Sequence, residues 1–253
     1  DLRGVHALRD LPDADRLKAE IARASSAVIG GAGFIGLELA AVAAKLGLAV
    51  TVLEAAPRVM MRAISEPMSR AFEAKHRSLG VDLRLGEGVR ALIGEAGRVT
   101  GVETGSGARL SADIVLLAVG VLAEDKLAAE AGLAIENGIA VDQARAVAKT
   151  IAGRSAPYRA LPWFWSDQAD WKLQIAGVTR GATRHVLRGE PDSGSFSVFL
   201  YEGERLAVVE SVNRPADHMI ARRLIDAGIG PTPEQAADLA FDIRALARSV
   251  PAA

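Results

Sequence analysis

Cysteine is absent from this chain of 253 residues. That excludes a disulfide framework, cysteine-ligated zinc, iron–sulfur clusters held by the chain's own thiolates, and a redox-active dithiol. Aromatic residues are scarce at 4%. The two tyrosines, Tyr158 and Tyr201, have no lysine at helical spacing, so the Tyr/Lys pair of a small-substrate dehydrogenase is missing. His6, His76, His185 and His218 are scattered without metal-ligand spacing, and no metal site is expected. Neither sign of charge dominates: the net charge of −1 exerts no pull toward nucleic acid or an anionic membrane. No long apolar run is present either. The most apolar stretch, 37–53, is broken by Glu38, Lys45 and Gly47 and reads as a helix plus a strand. The opening DLRGVHALRD shows no signal peptide, so a cytoplasmic location is expected; it also lacks an initiator methionine, which suggests a processed or excised fragment.

What is present is a core-forming half of hydrophobic residues, enough for one large or two ordinary domains. The most informative stretch is AVIGGAGFIGLELAAVAAKLGLAVTVLE, 27–54. An apolar strand leads into Gly31-x-Gly33-x-x-Gly36, then a small-residue helix, then a second apolar strand ending in Glu54. Gly31 permits the tight turn, Gly33 lets the backbone approach a pyrophosphate, and Gly36 allows the helix to pack closely on the strand. The helix start offers unpaired N–H groups and its positive dipole end to phosphates. Glu54 follows about twenty residues later, where an acid accepts hydrogen bonds from an adenosine ribose. A carboxylate there repels a 2′-phosphate, and no cation follows until Arg58, so NAD(H) is favoured over NADP(H). FAD also presents an adenosine ribose and remains open on the fingerprint alone.

Along the chain, 12–24 reads as a helix opened by Pro12 and Asp13, and 66–79 as a helix opened by Ser65 and closed by Gly80. Between 81 and 117, short β-prone runs separated by glycine turns suggest a meander. ADIVLLAVGV (112–121) is continuous enough for a buried parallel strand ending beside the cofactor position. GIAVDQ (138–143) reads as a strand and QARAVAKTIAG (143–153) as a helix with hardly any connector. Pro157 and Pro162 mark a linker, after which alternating strands suggest an antiparallel sheet and helices near 216–227 and 233–247 close the chain. The fold class expected is α/β: a Rossmann-like NAD-binding domain with a β-meander, then an α+β C-terminal domain with an antiparallel sheet. The boundaries are 1–142, a helix and linker over 143–157, and 158–253.

VIGGAGFIGLELA, VLEAAPRVMMR, ADIVLLAVGV, PWFWSDQ and ESVNRPADH together resemble the bacterial FAD-dependent NADH:ferredoxin reductases that serve cytochrome P450 and Rieske-type oxygenases. PWFWSDQ is the more specific signature, since Rossmann fingerprints are widely shared. The resemblance implies hydride transfer from NADH to FAD, then single electrons to a 2Fe-2S ferredoxin as partner. The family carries two dinucleotide folds, whereas one fingerprint is present here, and its context resembles the NAD-binding one. No Gly-Asp dipeptide, which the family's later FAD segment uses, occurs in the sequence. The expectation is a chain whose FAD-binding domain is missing, with FAD absent or weakly bound and turnover impossible without it. An NAD(H)-binding module without redox turnover is the alternative. A missing domain would bare an apolar face, so homodimers or self-association are expected.

By the same resemblance Gly31, Gly33, Phe34, Ile35 and Gly36 hold the NADH pyrophosphate, Glu54 the adenosine ribose, and Gly120 and Val121 the nicotinamide side. Arg62 is a candidate cation for the adenosine half, or a solvated arginine. Glu38 is the candidate catalytic residue: the family's glutamate here faces the nicotinamide and pairs with a lysine of the FAD domain, a partner this chain would lack. Trp163, Phe164 and Trp165 read as core of the antiparallel domain. The resemblance sets Trp163 and Trp165 instead on the flavin and partner side, with Ser166, Asp167 and Gln168 as the adjoining polar edge. Arg214, Arg222 and Arg223 are candidates for steering an acidic ferredoxin.

Overall fold

The computed structural model describes residues 2–124, 126, 130, 141–154, 160–178 and 181–249. They fall into two units, one of 1–119 with 163–253 and one of 120–162. The first part of the larger unit runs β1 (Val5–His6), α1 (Leu11–Ile21), β2 (Ser26–Gly30), α2 (Phe34–Lys45), β3 (Ala49–Glu54), α3 (Glu66–Ser78), β4 (Asp82–Leu85), β5 (Val89–Glu95), β6 (Arg98–Thr104), β7 (Arg109–Ser111) and β8 (Ile114–Leu117). The smaller unit contains α4 (Val141–Ile151). The larger unit then continues with β9 (Trp163–Gln168), β10 (Trp171–Gly177), β11 (Arg184–Arg188), β12 (Phe196–Glu202), β13 (Arg205–Val212), α5 (Pro215–Asp226), α6 (Pro233–Ala237) and α7 (Ile243–Arg248).

A parallel sheet of order β1-β8-β2-β3-β4 carries the dinucleotide motif. Its central strands β2, β3 and β8 are mostly apolar because both faces are covered, whereas the edge strand β4 carries Asp82 and Arg84. Ala27 and Ile29 of β2 face the main core, whereas Val28 and Leu53 face a second cluster with Val99, Val102 and Ala112 of the antiparallel sheet β5-β6-β7 and its edge. The strand at 82–85 therefore leaves the expected meander. Val81 and Leu83 are buried, and burial is obtained by pairing β4 in parallel with β3.

The antiparallel sheet has the order β11-β12-β13-β10-β9. Its Trp171, Leu173, Phe196 and Val198 join Val52, Phe72 and Leu116 in one continuous core. Helix α3 is the joint between the two halves. Its N-cap Ser65 donates through N and Oγ to Glu210 of β13 at 2.7 and 2.5 Å. In its last turn His76 Nε2 meets Gln168 Oε1 at 2.8 Å and Lys75 pairs with Asp170 at 2.5 Å. Between them Phe72 packs edge-on against Trp171 at 5.1 Å. Burial pushes the Glu210 carboxyl up to about 7, against the two Ser65 hydrogen bonds that favour its ionised form.

Two further expectations fail. The helix read over 233–247 is broken into α6 and α7: Asp238 is extended at ψ 109, and Asp242 starts α7 by accepting from the N–H groups of Arg244 and Ala245. The freed carbonyls are collected by the buried Arg188 guanidinium, which donates to Ala236, Asp238, Leu239 and Phe241. In the smaller unit, Val141, Asp142 and Gln143 begin helix α4 instead of ending a strand, because the alanine-rich run behind them is a strong helix former; 138–140 lie outside the described residues.

Candidate functional site

The loop after β2 is built from contacts that only glycine allows. Gly31 sits at φ +102, and a Cβ on it would lie 2.5 Å from the Ala118 carbonyl oxygen. A Cβ on Gly36 would lie 2.0 Å from the Gly31 oxygen. Gly33 differs: a Cβ there meets nothing within 4 Å. It is the N-cap of α2 and supplies no capping side chain. The N–H groups of the first α2 turn, Phe34 and Ile35 foremost, have no intrahelical partner by construction. An open approach over Gly33 to a bare, positively polarised helix start fits a diphosphate.

Glu54 ends the neighbouring strand and holds this loop. Its Oε2 accepts from Ala32 N and its Oε1 from Ala56 N, both at 2.7 Å. Each carboxylate oxygen keeps a further lone pair, so hydroxyl donors can still be accepted. The turn beyond is tied in as well: Met60 N donates to the Ala32 carbonyl at 2.9 Å. Arg58 clamps that turn by donating to the Ile64 and Met61 carbonyls. Arg62, carried on the same turn, is exposed and makes no hydrogen bond or ion pair with the described residues.

Helix α2 also meets strand β9. Phe34 packs on Phe164 with ring centroids 4.5 Å apart, and one turn later Glu38 Oε1 accepts from Ser166 Oγ at 2.5 Å. Four helix residues rise about 6 Å and two strand residues about 6.6 Å, which is why both pairs fit. Glu38, whose expected lysine partner belongs to the FAD domain, has a donor within this chain: Ser166. Ser166 and Gln168 are buried, and only Asp167 stays on a polar edge. His76 is buried too, and desolvation holds its imidazole below the ordinary histidine range.

The core reading of Trp163, Phe164 and Trp165 is also corrected. They are exposed by 44%, 43% and 55%, because β9 is an edge strand; Trp171 is the tryptophan in the core. Trp163 and Trp165 stack at 5.3 Å, with the Arg222 guanidinium 5.0 Å over Trp163. Arg222 thereby turns inward while Arg223 is exposed, and Arg214 pairs with Asp217 at 2.8 Å. Gly120, at φ +132, and the exposed Val121 belong to the smaller unit. Sequence reasoning missed the roles of His76, Ser166 and Gln168. The signal was there: Ser166 and Gln168 share the strand face of Phe164, opposite the core residues Leu173 and Trp171, and polar residues at such positions need partners.

Residues 1–151 match the family described as pyridine nucleotide-disulphide oxidoreductase, and 163–247 the one described as reductase C-terminal. Rhodocoxin reductase of Rhodococcus erythropolis is 44% identical over 287 residues, covering 98% of this chain and 67% of that protein. A ferredoxin–NAD(P)+ reductase of a Sphingomonas species is 39% identical, covering 90% and 64%. The crystal structure of the ferredoxin reductase for the CYP199A2 system from Rhodopseudomonas palustris superposes with a TM-score of 0.92 at 37% identity, covering 98% and 70%. The reductase of the covalent putidaredoxin reductase–putidaredoxin complex gives 0.89 at 29% identity, covering 97% and 69%. The chain thus spans about two thirds of the length of these relatives. The aligned 287 residues also exceed the chain's own 253, so the rhodocoxin reductase has residues inside that stretch without a counterpart here.

Proposed function

This chain belongs to the pyridine nucleotide-disulphide oxidoreductases, and to the ferredoxin reductases among them, and on that premise we propose that it is the NADH-binding and C-terminal portion of a flavin-dependent ferredoxin reductase. The observation that carries the reading is the open approach over Gly33 to the uncapped start of α2. There Gly31, Gly33 and Gly36 shape the loop, and the amides of Phe34 and Ile35 hold the diphosphate. Glu54 braces the loop through Ala32 and accepts from the adenosine ribose, which sets the preference for NAD(H) over its 2′-phosphorylated form. Arg62 lies on the adenosine side and Glu38 on the nicotinamide side.

Bound NADH supplies a hydride, and the protein's part is to position it and exclude water. No residue of the chain is required as an acid or base in that transfer. Trp163 and Trp165 face the flavin and partner side, and an acidic 2Fe-2S ferredoxin is the electron acceptor. Redox turnover requires the family's FAD-binding portion. The setting is cytoplasmic; no helix among the described residues is long and apolar enough to cross a membrane.

Isothermal titration of the chain with NADH, NADPH and FAD in turn tests this. NADH is expected to bind at one site, NADPH at least about tenfold more weakly, given one lost and one repulsive contact at Glu54, and FAD not measurably. A chain that ignores NADH, or that purifies yellow with tightly held flavin, overturns the proposal.

A further inference from the structure

Ser166 and Gln168 lie on the core face of β9, where an unmade hydrogen bond costs about 1–3 kcal/mol. Their partners form a chain whose direction follows from the chemistry of each group. Gln168 Oε1 can only accept, so His76 Nε2, 2.8 Å away, carries the imidazole proton. The Gln168 amide nitrogen can only donate. It gives one proton to Ser166 Oγ at 3.0 Å and directs the other at Met60 Sδ at 3.6 Å, an acceptor that would repel the amide oxygen in the flipped orientation. With an oxygen lone pair of Ser166 occupied by Gln168, its single proton goes to Glu38 Oε1 at 2.5 Å. The opposite end agrees. His76 Nδ1 is buried without a partner among the described residues, as suits a neutral ring with a bare nitrogen there and not an imidazolium.

We infer that Ser166, held by Gln168 and His76, is a positioning residue for the Glu38 carboxylate and through it for the nicotinamide end of NADH. The inference rests on the proposed function, in which Glu38 lies on the nicotinamide side. A glutamate has three side-chain torsions, and a fixed donor at one oxygen removes much of that freedom before the ligand arrives. The donor comes from the C-terminal half of this chain, 128 positions away in sequence, so the carboxylate's placement does not wait for a flavin-binding portion. Phe34 against Phe164 sets the register of helix and strand that brings Ser166 to Glu38.

The test compares two ligands on the full chain by isothermal titration: NADH, and ADP-ribose, which lacks the nicotinamide. Ser166→Ala is expected to weaken NADH about tenfold, the value of one hydrogen bond to a charged group, and to leave ADP-ribose unchanged. Equal weakening of both ligands marks a general loosening of the fold and overturns the inference, as does no change in either. Glu38→Ala is measured beside it. If Glu38→Ala weakens NADH and Ser166→Ala does not, the inference alone falls. If Glu38→Ala binds NADH as the parent does, the placement of Glu38 falls, and the inference with it. Should Ser166→Ala fail to fold, long-range ¹H–¹⁵N spectra of the unaltered chain decide. At pH 8, where the ring is neutral, His76 is expected to carry its single proton on Nε2, and a proton on Nδ1 overturns the chain's direction.

Discussion

Gly33 and Gly36 lie three positions apart in one loop, and a methyl group at each meets opposite surroundings. At Gly36 it would strike the Gly31 carbonyl oxygen at 2.0 Å, backbone against backbone, with no flexible side chain to yield. Gly36→Ala is therefore expected to lose about 1–3 kcal/mol of stability, read from the urea midpoint, and NADH affinity with it. At Gly33 the added methyl meets open space, and the backbone, at φ −80 and ψ −174, suits any residue. Gly33→Ala should keep its urea midpoint within about 0.5 kcal/mol yet bind NADH at least about tenfold more weakly, since the methyl occupies the diphosphate's approach. Were the two variants to behave alike, the division of labour within the fingerprint would be wrong. Both glycines are visible as a motif in the sequence. Their separate tasks are legible there too; the atoms around them add what a methyl group would meet at each.

At the scale of elements, the largest departure from the sequence pattern is the break between α6 and α7. Thr232 and Pro233 announce a helix start, and the residues that follow have helical composition. What divides the segment is Arg188, 6% exposed on β11, which gathers four carbonyls from 236–241. A continuous helix would have consumed those acceptors and stranded the guanidinium in a dry environment, a cost of several kcal/mol. Burial lowers the pKa of Arg188, which marks how far the group is from water. Arg188→Leu is expected to destabilise the chain by about 3 kcal/mol, and hydrogen exchange should localise the loosening to α6 and α7. Uniform loss of protection across the sheets would point to a different cause. Strand β9 shows the same logic. Its alternation is legible in WFWSDQ, but an edge position exposes the tryptophans and turns Ser166 and Gln168 toward helices that sequence order does not place beside them.

Across the whole molecule, the two halves of the larger unit share one core and are joined at α3, so they should unfold together. The buried Glu210 at that joint makes the stability depend on pH. Its carboxyl is raised from 4.5 to about 7, so the folded chain holds that proton where the unfolded chain has released it. Its contribution is fully favourable below pH 4.5 and is lost as pH rises through about 7. Buried His76 and His218 act oppositely: their lowered values favour folding above pH 6.5, and that contribution fades as pH falls. Comparing the unaltered chain with Glu210→Gln cancels the histidines. The stability difference between the two proteins should move in the variant's favour by up to about 3 kcal/mol between pH 4.5 and 8, measured by urea unfolding. A difference that stays flat over that range would show that Glu210 titrates normally.

The sequence by itself determined the local grammar: the glycine fingerprint, the acid at the end of the second apolar strand, the caps at Ser65 and Thr232, and the antiparallel run after residue 163. These are legible because each depends on residues close together in the chain and on backbone geometry that few residue types permit. The tertiary structure alone decided the destinations of long-range partners: β4 beside β3, Glu210 on Ser65, Ser166 on Glu38, and four carbonyls on Arg188. Such pairings are set by which buried polar group reaches which other across the core. That depends on packing between segments from 31 to 145 residues apart, and no local pattern encodes it.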